Sequence, residues 1–462
     1  MRVLGDAGRA MADGLDRIRR ETGIPDQFPE SLTEVARQAA VKPIGGDHVD
    51  RTMLAFMTLD PASSVDLDQA FAIEVAGDDI ILRYAIADVG WFVQPGDPLD
   101  VEAFERAVTV YLPDRRATLY PTVLSEGAAS LLPDVDRPAV VFTVRVASDG
   151  VSRLDGAERA VVRSRAKLAY DGVQSSDLPT GFEELHRRIQ AAEVGRGAPR
   201  VEFPEQEIDR LDDGRYALTF RPRLESEEQN AALSLATNLS IGEALFQAGT
   251  GLFRVMPDVT ERMHRRLRHA AQAFDLAWPK EIELAAFQRS LPRDDPRTSA
   301  FLMAVRRAAG GASYAGFTPG ERPWHSAVAA TYAQATAPLR RLQDRYVIET
   351  VLAVVNGHAV PDKISAAFPG LPAAMAKGDQ RANRAEREAL DLAEAIVLSD
   401  RQGELFEAVV LDESDWGVEI QIIDPAILAR VDAKRLDPGA KLRVRLVSAD
   451  PAAATIKFER VS

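Results

Sequence analysis

The stretch from residue 54 to residue 87 contains strand-like segments that enclose an acidic loop. Residues 54–59 form a nearly continuous apolar run, and residues 71–75 alternate between apolar and other side chains. Both patterns predict strands of a partly buried sheet. The turn at 77–79 leads into the apolar segment 80–87, which predicts a hairpin. The acidic loop is therefore expected at the end of two strands of a sheet.

Three carboxylates lie close together in this loop. Residues 58–70 read T-L-D-P-A-S-S-V-D-L-D-Q-A, which places Asp60, Asp66 and Asp68 within nine residues. Like charges held this close raise one another's pKa, so the arrangement is favourable when a hard cation neutralises it. Phosphate-ester chemistry commonly uses such a cation, and the loop therefore indicates a divalent metal site.

Two simpler explanations of the loop are a calcium-binding EF-hand and a solvated surface turn. A calcium-binding EF-hand fails, because counting from Asp66 puts Phe71 at the obligatory glycine and Gly77 at the bidentate glutamate. A surface turn whose acids are only solvated stays open. The flanking strands favour acids that are oriented by the scaffold.

The loop resembles the signature T-I-D-x-x-x-x-x-D-M-D-D-A of the RNB family, the hydrolytic exoribonucleases of the RNase II and RNase R type. Asp60, Asp66 and Asp68 match three signature aspartates, and the fourth position is Gln69. The resemblance implies one or two Mg²⁺ ions, with Mn²⁺ as an alternative, held by these four residues. Glutamine still offers a carbonyl oxygen, but the missing charge should weaken retention of a second cation.

Further segments match the family in its own order over about residues 45–400. They are I-A-D-V at 86–89, Y-L-P at 111–113, E-E leading to N at 227–238, a histidine at 325 before Y-A-Q-A-T-A-P-L-R-R at 332–341, and N-R-A-E-R at 383–387. The resemblance implies that Arg340 stabilises transition-state charge beside the catalytic aspartates. It also implies RNA contacts by Tyr111, which would stack on the terminal base, by Arg341, and by Glu386 at ribose hydroxyls.

The segment around Arg340 also has a local interpretation. Thr336 is predicted to cap a helix, with Pro338 in its first turn and the helix continuing to about residue 356. Arg340 would then lie near the positive end of the helix, where amides and a guanidinium make a phosphate site. A simple ion pair between Arg340 and an acid stays open as the alternative.

Composition limits the class of protein. The net charge of −14 argues against a protein that coats nucleic acid through a broad basic surface. Local basic groups such as Arg163, Arg165 and Lys167 either line a channel or are solvated. The absence of cysteine excludes disulfides and thiolate zinc sites and is compatible with a cytoplasmic location. With no long apolar run and no leader-like segment, neither a membrane span nor a secretory signal is expected.

The chain is expected to have an α+β fold in three regions. Residues 1–44 form a short helical region, either helix-turn-helix-like or packed on the core, where the RNase II type carries two cold-shock barrels. Residues 45–400 form the RNB catalytic domain, a mixed sheet surrounded by helices. Residues 401–462 contain five predicted strands and form an OB-type RNA-binding barrel. Phe406, Trp416 and Phe458 either stack bases there or fill the barrel core.

These expectations define one principal function and two alternatives. The principal one is an Mg²⁺-dependent hydrolytic 3′-to-5′ exoribonuclease that degrades single-stranded RNA processively to nucleoside 5′-monophosphates, as a cytoplasmic monomer. The first alternative is an RNB-like protein that binds RNA with impaired catalysis, owing to Gln69. The second is a metal-dependent phosphatase for small phosphoesters, which leaves the terminal barrel unexplained.

Overall fold

The computed structural model describes residues 2–3, 8–199, 205–210, 216–221, 223–292, 295–309, 311–414, 417–422, 427–433, 436 and 440–461. The strands are β1 Arg2–Val3, β2 Val49–Asp50, β3 Phe56–Asp60, β4 Gln69–Ala76, β5 Asp79–Ala87, β6 Val110–Tyr111, β7 Arg116–Ala117, β8 Asp136–Val146, β9 Ser152–Ala169, β10 Glu205–Arg210, β11 Tyr216–Arg221, β12 Leu252–Val255, β13 Ser313–Gly316, β14 Leu405–Ser414, β15 Gly417–Ile422, β16 Ile427–Val431, β17 Lys441–Asp450 and β18 Thr455–Arg460. The helices are α1 Gly8–Thr22, α2 Glu30–Ala40, α3 Val89–Phe92, α4 Pro98–Arg106, α5 Phe182–Gly195, α6 Glu225–Gln247, α7 Glu261–Ala273, α8 Leu284–Ser290, α9 Pro296–Ala309, α10 Leu342–Val355, α11 Asp362–Ser365 and α12 Leu371–Leu398.

A six-stranded mixed sheet of order β2-β9-β3-β4-β5-β8 forms the centre of the region between the N-terminal helices and the C-terminal barrel. The predicted hairpin is present as β4 and β5, joined by a turn in which Gly77 adopts a positive φ of 63°. The long strand β9 pairs with β8 along its first part and runs parallel to β3 along its last part. The acidic loop therefore leaves β3 and enters β4 at one end of this sheet.

The main hydrophobic core lies between the sheet and the helices that cover it. Its largest fully buried side chains on the sheet are Phe56, Phe71, Tyr84 and Phe142. Helix α6 packs across β8 and β9, and the ring of Phe182 on α5 lies 5.3 Å from that of Phe71. Each buried aromatic contributes about 1.5–3 kcal/mol of hydrophobic stabilisation. The sheet is thus a rigid support for the loop at its end.

A buried ion pair fixes α10 to the first turn of α4 and to the segment before it. Arg345 is 2% exposed and pairs with Asp100, while its Nη1 donates to the Val93 carbonyl at 2.8 Å. The Tyr346 hydroxyl donates to the same Asp100 carboxylate at 2.7 Å. Because Asp100 accepts from both Arg345 and Tyr346 in the interior, these bonds specify the position of α10 and of the residues before it.

The C-terminal strands β14 to β18 close into a five-stranded barrel of order β14-β15-β16-β18-β17. This confirms the predicted α+β fold with a terminal barrel. Phe406 and Phe458 are buried and meet edge to face at 5.7 Å, so both fill the barrel core and neither offers a surface for stacking bases. Trp416 lies outside the described residues.

The N-terminal helices α1 and α2 pack on helices of the central region. Helix α1 runs along α12, where Gly14 leaves space that Leu392 occupies. Arg106 at the end of α4 donates to the carbonyls of Pro25 and Gln27, between α1 and α2. Among the described helices, none has both the length and the apolar character needed to cross a bilayer. The domain limits at residues 44 and 400 stay predictions.

Replacing Asp100 by asparagine is expected to lower the free energy of unfolding by about 3–5 kcal/mol, because it leaves the buried Arg345 charge unpaired. Urea denaturation followed by circular dichroism measures the change. The matched control is Glu105→Gln, which breaks an exposed pair with Lys377 and should cost less than about 1 kcal/mol. Equal losses in the two variants would contradict this assignment.

Candidate active site

The acidic loop between β3 and β4 is fixed by residues from neighbouring strands. Lys167 on β9 donates through Nζ to the carbonyls of Ala62 and Ser64, at 2.7 and 2.5 Å. The Ser130 hydroxyl donates to the Val65 carbonyl at 2.7 Å. These bonds satisfy backbone groups of the loop and orient its side chains. The interpretation as a freely solvated turn is therefore wrong.

The three aspartates form one electrostatic cluster. The side chains of Asp66 and Asp68 are only 9% and 5% exposed. The pKa of Asp60 is raised to about 6 and that of Asp68 to about 7. Burial is the main cause at both groups, and the nearby Asp66 charge contributes. Arg340 opposes the shift at both groups. The structure therefore brings together the three predicted carboxylates and the predicted arginine.

Asp68 joins the loop to the turn before α10. Its Oδ1 accepts a hydrogen bond from the Leu339 amide at 2.7 Å, and its Oδ2 lies 3.2 Å from Arg340 Nε. The Arg340 side chain remains 42% exposed. Arg340 therefore does pair with an acid, as the simpler alternative held, and that acid belongs to the cluster itself.

Asp66 is held by the β6–β7 ribbon. Tyr111 and Arg116 lie opposite each other on the two strands. The Tyr111 hydroxyl donates to Asp66 Oδ2 at 3.2 Å, and Arg116 Nη1 lies 2.5 Å from Oδ1. Tyr111 is 44% exposed, which leaves part of its ring accessible. The family motifs did not point to Arg116; the signal would have been its position across a short hairpin from Tyr111.

Gln69 is the first residue of β4. Its Oε1 accepts a hydrogen bond from the hydroxyl of the buried Tyr84. The side-chain oxygen that was predicted to face a metal is therefore engaged within the sheet. A role for Gln69 as a ligand stays a prediction that requires this hydrogen bond to open.

The predicted helix start at Thr336 is wrong. Helix α10 begins at Leu342 with Arg341 at its N-cap, and residues 338–340 form a turn. The Thr336 hydroxyl bonds instead to that of Ser234 on α6. The local cap signal was overridden because tertiary partners satisfy Thr336.

Arg341 stabilises this turn. It pairs with the buried Asp344 through two hydrogen bonds of 3.0 and 2.7 Å, and Asp344 also accepts from the Ala337 amide. The Thr109 amide donates to the Arg340 carbonyl at 3.0 Å, which ties the turn to the strand that leads to Tyr111. Arg341 therefore supports the site through Asp344, and its predicted RNA contact stays untested.

Three further polar residues of the matched motifs are Glu386, His325 and Asp88. Glu386 is an exposed residue of α12, and α12 packs against β6. Burial and Arg254 lower the pKa of His325 to about 4, so this histidine is neutral at pH 7. Asp88 is buried, caps α3 and pairs with Arg159, which is a structural role.

Of the predicted basic group Arg163, Arg165 and Lys167, one side chain contacts the acidic loop. Arg163 pairs with Asp136, and Arg165 donates to the Thr52 carbonyl. Lys167 alone of the three contacts the acidic loop. Of these side chains, Lys167 therefore acts as a clamp on the loop backbone.

The donor set suits a hard divalent cation in charge and chemistry. The cluster supplies carboxylate oxygens whose ionised forms are destabilised by burial, and a divalent ion would remove that penalty. In the part of the chain that the structure describes, no three Asp, Glu or His side chains already enclose a common metal position. Two of the aspartates are instead paired with arginines, Asp66 with Arg116 and Asp68 with Arg340.

Without divalent cations, the raised pKa values should make stability depend on pH. Unfolded aspartates titrate near 3.8, so the folded protein binds more protons between about pH 4 and pH 7. Stability should therefore fall as pH rises through this window. In EDTA, Asp68→Asn should show a smaller drop in melting temperature between pH 5 and pH 8 than the wild type.

The control for this experiment is Asp13→Asn. The Asp13 side chain is 77% exposed and pairs with Arg9 on the same helix. It should reproduce the wild-type drop. A drop of the same size in Asp68→Asn would show that Asp68 is not the destabilised carboxylate.

Two sequence profiles match the chain. The RNB domain matches residues 49–357, and the RNase II-type exonuclease C-terminal S1 domain matches residues 404–461. Ribonuclease R of Thermotoga maritima is 25% identical over 95% of this chain and 66% of its own length. Exoribonuclease 2 of Cronobacter sakazakii is 29% identical over 83% of this chain and 62% of its own. The chain thus spans a little under two thirds of the length of these relatives.

Solved structures share the fold. The apo form of Mycoplasma genitalium RNase R superposes with a TM-score of 0.89 at 18% identity, covering 100% of this chain and 79% of that one. Yeast Ssd1, a pseudonuclease, superposes with a TM-score of 0.70 at 17% identity, covering 94% of this chain and 57% of that one. At these identities the likeness concerns the fold alone.

Proposed function

The chain belongs to the RNB-domain family, and from this premise we propose that it is an Mg²⁺-dependent hydrolytic 3′-to-5′ exoribonuclease. Its substrate is single-stranded RNA, which it degrades processively to nucleoside 5′-monophosphates as a monomer in the cytoplasm. The observation that best supports this proposal is the junction at Asp68, where the acidic loop meets the Leu339 amide and Arg340. That junction puts buried carboxylates beside a partly exposed guanidinium, as phosphodiester hydrolysis requires.

The carboxylates are the groups that would hold the ion. Asp60, Asp66 and Asp68 would bind Mg²⁺, or Mn²⁺ in its place, and Gln69 would add an amide oxygen. The bound ion supplies a water of lowered pKa and neutralises charge on the phosphate. Ser130 and Lys167 keep the loop backbone in place, so the backbone need not move to present the carboxylates.

Other side chains would hold the RNA. The exposed part of Arg340 offers planar donors to the scissile phosphate and stabilises the charge that develops there. Tyr111 has an accessible ring that can stack on any base, which suits an enzyme that must accept each nucleotide in turn. Arg341 keeps the turn in shape, and Glu386 is proposed to contact ribose hydroxyls.

The alternative of an RNA binder without catalysis rests on Gln69. The fold is compatible with this alternative, because a pseudonuclease shares the architecture. The presence of the partly buried Asp60 and the buried Asp68 argues against it, since carboxylates with raised pKa values lower the stability of the folded chain and a chain without activity would not need them. Gln69 is also satisfied by Tyr84, so the missing charge leaves no unpaired group.

Asp68→Asn is expected to lower turnover by several orders of magnitude, because it removes a charge from the metal-binding set and weakens the hold on Arg340. Release of labelled mononucleotide from 3′-labelled single-stranded RNA in Mg²⁺ measures the rate. Filter binding and a thermal melt check that RNA affinity and folding persist. Asp13→Asn serves as the control with normal turnover.

The outcomes separate the three functions. Mononucleotide release by the wild type supports the enzyme, and near-normal release by Asp68→Asn contradicts the assigned site. Retention of RNA without cleavage by the wild type supports the binder. Hydrolysis of a chromogenic phosphoester with intact RNA supports the phosphatase.

Metal affinity should rise between pH 6 and pH 8. Asp60 and Asp68, with pKa values of about 6 and 7, must lose their protons before they bind a cation. Calorimetric titration of Mn²⁺ at the two pH values, with Asp13→Asn as the control, measures the change. Affinity that is independent of pH would exclude these carboxylates as ligands.

A further inference from the structure

One guanidinium in the site is shared between two carboxylates. Arg116 places Nη1 2.5 Å from Asp66 Oδ1 and Nε 3.2 Å from Glu126 Oε1. Asp66 belongs to the proposed metal-binding set, whereas Glu126 lies on the helical turn Leu124–Ala128 and no role is proposed for it in catalysis. Arg116 is thus a link between the site and a carboxylate outside it.

The hydrogen bonds of Asp66 oppose metal binding. Both of its oxygens accept bonds from the β6–β7 ribbon, one from Tyr111 and one from Arg116. A cation bound to the same carboxylate would lie next to the Arg116 charge and be repelled by it. Arg116 therefore competes with a cation for this carboxylate.

The surroundings allow Arg116 to move away from Asp66. Arg116 and Glu126 both line a cavity of about 430 Å³, which α2 and the segment before it also border. The Arg116 side chain is 26% exposed and that of Glu126 is 25% exposed, so neither is locked in the core. Because Glu126 already holds one nitrogen of the guanidinium, Arg116 can leave Asp66 and still keep a carboxylate partner.

We propose that Arg116 is a positioning residue that holds Asp66 when no cation is bound and transfers to Glu126 when a divalent cation binds. This inference rests on the proposed function, since it assumes that Asp66 is a ligand. Arg116 then competes with the cation for Asp66, and Glu126 favours binding by accepting Arg116. The pair sets the metal affinity of the site without touching the reacting atoms.

The test measures Mn²⁺ affinity by calorimetry without RNA, for Arg116→Gln, Glu126→Gln and the double variant. Arg116→Gln should bind Mn²⁺ about tenfold more tightly, because this variant has no charge-assisted hydrogen bond to Asp66 that must be broken when the ion binds. Glu126→Gln should bind several-fold more weakly, because Arg116 then stays on Asp66. The double variant should match Arg116→Gln, since Glu126 acts only through Arg116.

The control is Arg115→Gln. Arg115 carries the same charge one residue away, and it pairs with Asp16 and Asp26 instead of Asp66. This variant should change affinity by less than about twofold. Thermal melts confirm that each variant is folded.

Two other results would overturn the inference. If the double variant returns to wild-type affinity, the two charges act independently through space, and no transfer takes place. If Arg116→Gln binds Mn²⁺ no more tightly than wild type, Arg116 does not compete for Asp66. A wild type that binds no Mn²⁺ would instead refute the proposed function, and this inference with it.

Discussion

The contact between Asp68 and the turn at residues 339–340 is the constraint on which the site depends. It joins two segments that are 271 residues apart in the chain. One segment is fixed by the central sheet and the other by α10, whose buried Arg345–Asp100 pair anchors it. Because both supports are rigid, the carboxylate and the arginine meet in a defined geometry without help from a ligand.

The same contact shows how the fold tolerates buried negative charge. Arg340 and the Leu339 amide partly offset the cost of ionising Asp68, and Arg116 pairs with Asp66. Burial still dominates at Asp60 and Asp68, so their pKa values remain raised. The raised pKa values thus lower the free energy of unfolding at the place where a cation would be bound. Functional sites commonly lower stability in this way.

The sequence predicted features that depend on local pattern. The strands around the acidic loop, the β4–β5 hairpin and the terminal barrel follow from alternation and turn residues, and the family motifs predicted the meeting of Asp68 with Arg340. The start of α10 was missed because Asp344 and Ser234 satisfy the backbone and side chains of residues 336–341 from outside the local window. Arg116 and Ser130 were missed as site residues, and Lys167 was predicted only as a channel-lining or solvated cation, because their contacts arise only once separate strands pair.

The central claim is that the aspartates of the acidic loop form a cation site beside Arg340. Anomalous diffraction from crystals soaked in Mn²⁺ tests it most directly, since the peak locates the ion independently of activity. The account predicts a peak about 2 Å from carboxylate oxygens of Asp60 and Asp68, with Arg340 adjacent. A peak bound by other residues, or none in crystals soaked at saturating Mn²⁺, would contradict it.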